Sequence, residues 1–256
     1  MAEDMFVRSI FWSELMFKRF YRGFLVTSSF VMFGFGALLI GFILIPFGKI
    51  FIKDERKIFS KLIHNIWHWF VKYLMWLGIF KLNLQNIEQM SGKIIVATHP
   101  TFIDILILIG IYENSLCLAK KELLNNVFLK NIIKNVYIPN NIELDEFKNL
   151  CTKALQDGYN IIIFPAGTRT ENNENLKIHK GSAAIQIASG ADIVPVKIDC
   201  DYPFLQKGKP IYDAGDRLIT YEIRQLEPIK LCDFNEVSEI KLRNAICEKI
   251  KFDFIN

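Results

Sequence analysis

From Gly23 to Gly48 the chain reads GFLVTSSFVMFGFGALLIGFILIPFG, 26 residues without one charged side chain. About 20 apolar residues suffice to cross the hydrocarbon core of a bilayer as a helix, so this run is expected to be a helix held in or at a membrane. A secretory signal fits poorly, because the run is too long, starts too far in, and is followed by no small-residue cleavage pattern. Cations stand on both sides, Lys18, Arg19 and Arg22 before it and Lys49, Lys53, Arg56 and Lys57 after it. The positive-inside rule therefore gives no orientation, and a single crossing and a hairpin half-immersed in one leaflet both remain open. The next stretch, Ile58 to Trp76, places Phe59, Leu62, Ile63, Ile66, Phe70 and Leu74 on one helical stripe, with Lys61, His64, His68 and Lys72 opposite. Trp67, Trp69 and Trp76 suit the bilayer interface; a helix facing the core is the other reading of the same stripe. Residues 1–80 are thus expected to form a helical membrane-anchor module, with an apolar helix over about 23–48 and an amphipathic one over about 58–76. A second domain follows over 81–256.

Composition narrows the partners. Half of the 256 residues are hydrophobic, 22 of them Phe, and the net charge is a mild +4. That balance suits an anionic membrane surface and falls short of a nucleic-acid footprint, so no nucleic-acid partner is expected. Cys117, Cys151, Cys200, Cys232 and Cys247 stand far apart with no CxxC pair, which reads as reduced core thiols in a cytosol-facing domain. His64 and His68 lie one helical turn apart but have no third ligand, so they are read as polar-face residues of the Trp-rich helix; no metal site is expected.

After residue 80, strand-like and helix-like segments alternate. Residues 93–98 (KIIVAT), 159–164 (YNIIIF) and 193–198 (IVPVKI) are short apolar runs of the kind that make buried strands. Residues 115–119 and 218–225 read as further strands, and 102–111, 121–134, 144–156, 182–189 and 236–252 as helices. Strands separated by helices point to an α/β layer sandwich, a fold class whose chemistry sits on loops at strand ends.

Two strands end in unusual polar loops. In VATHPTFIDIL, His99 leaves a buried strand and Asp104 follows at the start of an apolar helix. A carboxylate there can hold the imidazole in one tautomer and leave its other nitrogen free to take a proton. In FPAGTRT, residues 164–170, the Gly, Thr and Arg suit a turn that presents N–H groups, a hydroxyl and a guanidinium to an anionic oxygen. His99 and Asp104 alone are weak evidence. Ser182 lacks the glycine two places on that a nucleophile elbow has and is read as capping or opening its helix, while His179 is read as a surface residue beside the cleft.

The combination is more specific. THPTFID, then FPAGTRT, then HKGSAAIQIA, then IVPVKI, resembles in order the blocks of the glycerolipid (lysophospholipid) acyltransferase family, which shows NHxxxxD, FPEGTRS, a Lys-Gly-helix stretch and a VPV-type strand. The likeness spans about residues 81–225, and the first block looks most like bacterial members that carry THP. What it implies is an acyltransferase-type α/β sandwich, a central mixed sheet flanked by helices, behind the N-terminal membrane anchor. His99 would be the general base that takes the proton of an acceptor hydroxyl as it attacks a thioester, and Asp104 would orient it. Gly167, Thr168 and Arg169 would bind the acceptor, with Lys120, Lys121 and Lys180 adding positive charge. The donor would be acyl-CoA or an acyl-carrier protein, acting as substrate; no bound cofactor is implied. The acceptor would be a lysophospholipid or related membrane lipid, and the setting the bacterial inner (cytoplasmic) membrane with the catalytic domain facing the cytosol. Acyl length and oligomeric state are left open.

Three departures stand against the pattern. Thr98 replaces the Asn before the histidine, and NVYIPNN at 135–141 lacks the Arg that many members have after a strand. Ala166 stands where the family has Glu. Divergence toward an acceptor other than glycerol phosphate, a degenerate pseudoenzyme, or a deliberate Glu-to-Ala substitution would each account for it; the intact remainder of the motif disfavours the second. The alternatives from other classes are a non-catalytic lipid- or acyl-binding membrane protein on the same fold, and a thioesterase in which His99 activates water.

Overall fold

The computed structural model describes residues 2–51, 55–119, 125–127, 130–139, 142–167, 176–202, 204–236 and 238–255. Helical segments open the chain: α1 (Ala2–Leu39), a π-helical turn (Ile40–Leu44), α2 (Ile45–Phe51) and α3 (Glu55–Trp76). Then come β1 (Phe80–Gln85), β2 (Ile94–Ala97), α4 (Asp104–Ile111), β3 (Ser115–Ala119), α5 (Lys130–Val136), β4 (Ile138–Pro139), α6 (Leu144–Gln156) and β5 (Asn160–Ile163). The chain closes with α7 (Gly181–Ser189), β6 (Ile193–Cys200), β7 (Ile219–Gln225), a 3-10 turn (Leu231–Asp233) and α8 (Glu239–Ile255).

The strands form one mixed sheet of seven in the order β1-β7-β6-β2-β5-β3-β4. Strands β6, β2, β5, β3 and β4 run parallel, β7 turns antiparallel against β6, and β1 runs parallel to β7. Every residue of β2 and β5 is buried, which is why both read as unbroken β-branched runs: helices cover both faces of the parallel part. Helices α3, α4 and α5 pack together with the π-helical turn, and α6, α7 and α8 form a second group. Strand β7 alternates buried and half-exposed residues, and with β1 leaves a shallow groove lined by Lys81, Asn83, Asp199, Thr220 and Glu222.

This is the mixed α/β sandwich expected from sequence, with differences in detail. Strand β1 was not expected, nor was the short β4. The helix expected over 121–134 is described only as α5; residues 120–124, 128 and 129 lie outside the described residues. The stripe of α3 turns inward: Phe59, Ile63, Trp67, Phe70 and Leu74 are buried, while Trp69 and Trp76 are exposed. The core-facing reading of that stripe is therefore the one realised. His64 and His68 are half-buried, and their Nδ1 atoms meet the Ile109 and Gly110 carbonyls at 2.7 and 2.8 Å. These carbonyls end α4 and lack partners within it, so the two histidines fasten α4 to α3 instead of standing at an interface.

The apolar helix is longer than expected and rests against the α/β unit along its length. The Arg22 guanidinium donates to the carbonyls of Gly78 at 2.7 Å, Ile79 at 2.8 Å and Ala214 at 3.1 Å. Gly23 lies so close to Tyr212 that a Cβ there would meet the Tyr212 carbonyl oxygen at 2.5 Å. Further on, Phe30 meets Phe70 edge-on and Phe33 meets it at a tilt, and Asn131 of α5 donates to the Gly41 carbonyl at 3.1 Å. The opposite face, with Phe17, Phe20, Phe24, Val31, Phe35, Leu39 and Phe47, is exposed.

Candidate active site

The first loop is built on the C-terminal end of β2. Thr98 continues the pairing with β6: its N–H donates to the Val196 carbonyl, and its hydroxyl donates to the Ile198 carbonyl at 2.9 Å and accepts from the Ile198 N–H at 2.6 Å. A threonine in place of asparagine thus clips the loop to the sheet immediately before His99. The chain then turns into α4, whose first residue is Asp104.

Asp104 is fully buried. A buried carboxylate costs several kcal/mol unless donors surround it, and here they do. Its Oδ2 accepts from the Thr101 N–H at 2.7 Å and lies 3.0 Å from His99 Nδ1, while Oδ1 accepts from the Thr101 hydroxyl. Its place at the start of α4 adds the favourable end of the helix dipole. Since the carboxylate only accepts, Nδ1 of His99 carries a proton and Nε2 keeps its lone pair. The His99 side chain is 18% exposed, so part of it reaches the outside.

The second loop follows β5, the parallel neighbour of β2, so both loops emerge on one edge of the sheet. Phe164 stacks on the His99 ring with centroids 4.0 Å apart and planes 19° apart. Gly167 has φ of +71°, a conformation open to glycine, and a Cβ there would meet the His179 ring at 3.2 Å. Its N–H donates to the Phe164 carbonyl, and the His179 N–H to that of Pro165. The turn therefore uses the Gly167 N–H within itself. Ala166 is half-buried and packs against the core.

Of the residues read from sequence, the structure brings together His99, Asp104, Ala166, Gly167 and His179. Thr168, Arg169, Lys120 and Lys121 lie outside the described residues. Lys180 is exposed at the start of α7, and its charge acts on the Cys247 thiol of α8. Ser182 is buried in the first turn of α7, where no cap hydrogen bond is made and its hydroxyl has no partner among the described residues; it stands at the start of the helix, as expected, but does not cap it. The cysteines are free, and burial pushes the Cys117 and Cys151 thiols up to about 12, which makes them inert. Residues that sequence reasoning missed are Thr101 and, from β7, Tyr221, whose hydroxyl reaches Thr101 Oγ1 at 3.0 Å. A polar residue inside the His-to-Asp spacing hinted at Thr101; nothing local hinted at Tyr221, 120 positions away.

Known proteins are similar to this chain in sequence and in fold. Residues 79–199 match the family model described as Acyltransferase, a stretch that holds both loops. The 1-acyl-sn-glycerol-3-phosphate acyltransferase of Bacillus subtilis is 28% identical over 178 residues, 68% of this chain and 84% of that one. The enzyme of the same name from Borreliella burgdorferi is 26% identical over 191 residues, 71% of this chain and 76% of that one. In fold, the crystal structure of the 1-acyl-sn-glycerophosphate acyltransferase of Thermotoga maritima superposes with a TM-score of 0.66 at 21% identity, covering 92% of this chain and 98% of that one. These likenesses, beside a His-and-Asp loop and an FPAGT turn on neighbouring strands of a mixed sheet, support an acyltransferase of the 1-acylglycerol-3-phosphate acyltransferase-like kind.

Proposed function

We propose that this acyltransferase moves a fatty acyl group from acyl-CoA or acyl-carrier protein to a hydroxyl of a lysophospholipid, with His99 as general base. The observation that carries the reading is a histidine whose Nδ1 is held by a fully buried carboxylate while its side chain stays partly exposed. The acceptor hydroxyl gives its proton to His99 Nε2 as its oxygen attacks the thioester carbonyl. Asp104 stabilises the imidazolium. The tetrahedral intermediate collapses, the C–S bond breaks, and the same proton passes to the departing thiolate. A base so placed contributes roughly 10²- to 10⁴-fold. A protein that only bound lipid would gain nothing from a buried carboxylate behind a histidine, and that supports turnover despite Ala166.

The membrane setting follows from the helix that carries the exposed phenylalanines. Residues Trp12–Phe51 form a run of 40 with mean hydropathy 2.4 over its most apolar window, of which 22% is buried. At 1.5 Å per residue that run is about 60 Å long, twice the ~30 Å of hydrocarbon in a bilayer. Its contacts with the α/β unit extend from Arg19 to Gly41, about 33 Å along the axis. A helix crossing upright would carry the α/β unit into the lipid, so the helix lies obliquely, its exposed face sunk in one leaflet. The loop beside Gly23 adds exposed Lys207 and Lys209 together with Ile211 and Tyr212, suited to headgroups and the interface. Since acyl thioesters are made in the cytosol, the cytosolic face of a bacterial inner membrane is the setting.

The test is thiol release from an acyl thioester with lysophosphatidic acid, run on this protein and on Ala166→Glu. Turnover by both forms supports the reading as stated. Turnover only with Glu would make Ala166 the cause of a disabled enzyme, and no thiol release from either form with any lysophospholipid would refute it.

A further inference from the structure

We propose that Tyr221 is a positioning residue for acyl transfer: its hydroxyl fixes the Thr101 hydroxyl as a donor to Asp104, and through Asp104 fixes His99. This rests on His99 being the base. The argument is a proton count. Asp104 Oδ1 accepts from Thr101 Oγ1, which spends the one hydroxyl proton of Thr101. The Tyr221 hydroxyl, 3.0 Å from that same Oγ1, must then be the donor to it. The chain runs in one direction, Tyr221 to Thr101 to Asp104, and Asp104 accepts at its other oxygen from His99 at 3.0 Å.

Packing alone does not call for the hydroxyl. Tyr221 is fully buried on the inner face of β7, with the Phe80 ring at 5.3 Å in an edge contact. A phenylalanine would fill that space, and burying a phenol costs free energy unless its hydroxyl is partnered. The oxygen partner it meets is Thr101 Oγ1. Burial first, and the Asp104 charge next, hold the Tyr221 hydroxyl well above its ordinary range, so it stays a donor at every working pH. Cys200 is the other polar neighbour: its thiol donates to the Tyr202 carbonyl at 3.0 Å, and its sulfur is also within hydrogen-bond reach of the Tyr221 hydroxyl, a weak acceptor beside the Thr101 oxygen. Without the phenol, the Thr101 oxygen loses its donor and the carboxylate loses the one hydroxyl orientation that serves it, a weakening that spreads along a buried chain of hydrogen bonds.

The experiment is steady-state thiol release by Tyr221→Phe, Thr101→Val, the double variant and His99→Ala, each with a thermal melt. Tyr221→Phe should lower kcat roughly tenfold, the scale of one buried hydrogen bond, with KM for donor and acceptor unchanged and the melt little moved. Thr101→Val should lose more, and adding Tyr221→Phe to it should lose nothing further, because both act through one link. Thr101→Ser, which keeps the hydroxyl, should restore most of the rate. An unchanged kcat in Tyr221→Phe, or a double variant whose loss is the product of the single ones, overturns the proposal. Turnover by His99→Ala would instead overturn the reading beneath it.

Discussion

Asp104 decides most at the residue scale. Changing it to Asn keeps the volume but removes the charge and lets the amide face His99 with the wrong group. We expect Asp104→Asn to lower kcat by about 10²- to 10⁴-fold with acceptor KM little altered, read by thiol release at saturating substrate. Gly167→Ala is expected to act differently, since its φ of +71° is one that side chains rarely adopt and the His179 ring at 3.2 Å would have to give way. That variant should lose about 1 kcal/mol or more of stability, seen as a lower melting temperature. The pair His99 and Asp104, and the glycine turn, were legible because each lies in a short window with an unusual polar pattern. Thr98 and Tyr221 were not: their work is done across strands, Thr98 on β6 and Tyr221 on the loop before α4, and chain separation hides such partners.

Among the elements, the bond between α3 and α4 matters most for the site, because α4 carries Asp104 at its first turn and is held at its last by His64 and His68. The two helices approach at Gly110, where a Cβ would lie 3.1 Å from the His68 Cα. Gly110→Ala should force them apart and cost about 1–3 kcal/mol, measurable as a shift in the unfolding midpoint in detergent. The stripe of α3 was visible in sequence but not its direction, since a buried face and a membrane face demand the same residues at the same spacing. Strand β1 is hidden for another reason. FKLNLQ alternates as a half-exposed strand should, yet it follows α3 so closely that the apolar anchor absorbs its first residues. The parallel strands β2, β5 and β6 stood out because burial on both faces leaves no polar alternation.

The whole molecule is an α/β sandwich with an apolar helix laid along it, and that contact reaches the loop that carries His99. Phe102, in the loop between His99 and Asp104, is 39% exposed and lies 6.4 Å from the Phe30 ring of α1. Charge on the exposed face should release the protein from lipid without touching the chemistry. The double variant Phe35→Asp with Phe47→Asp is expected to float poorly with vesicles while keeping its turnover of micellar substrate. Reversing Lys207 and Lys209 to Glu should weaken binding to anionic vesicles by about fivefold or more per position, and high salt should narrow the difference. Sequence alone left crossing and half-immersion equal, because nothing in an apolar run says which other element lies beside it.

The central claim is that His99 takes the proton of a lipid hydroxyl as it attacks a thioester. The most direct test is thiol release from acyl-CoA or acyl-carrier protein, with lysophosphatidic acid presented in vesicles, by the unaltered protein and by His99→Ala. The account predicts acceptor-dependent release by the unaltered protein, a fall of at least about 10²-fold in the variant, and the same melting temperature for both. Equal rates in the two proteins, with both folded, would contradict it.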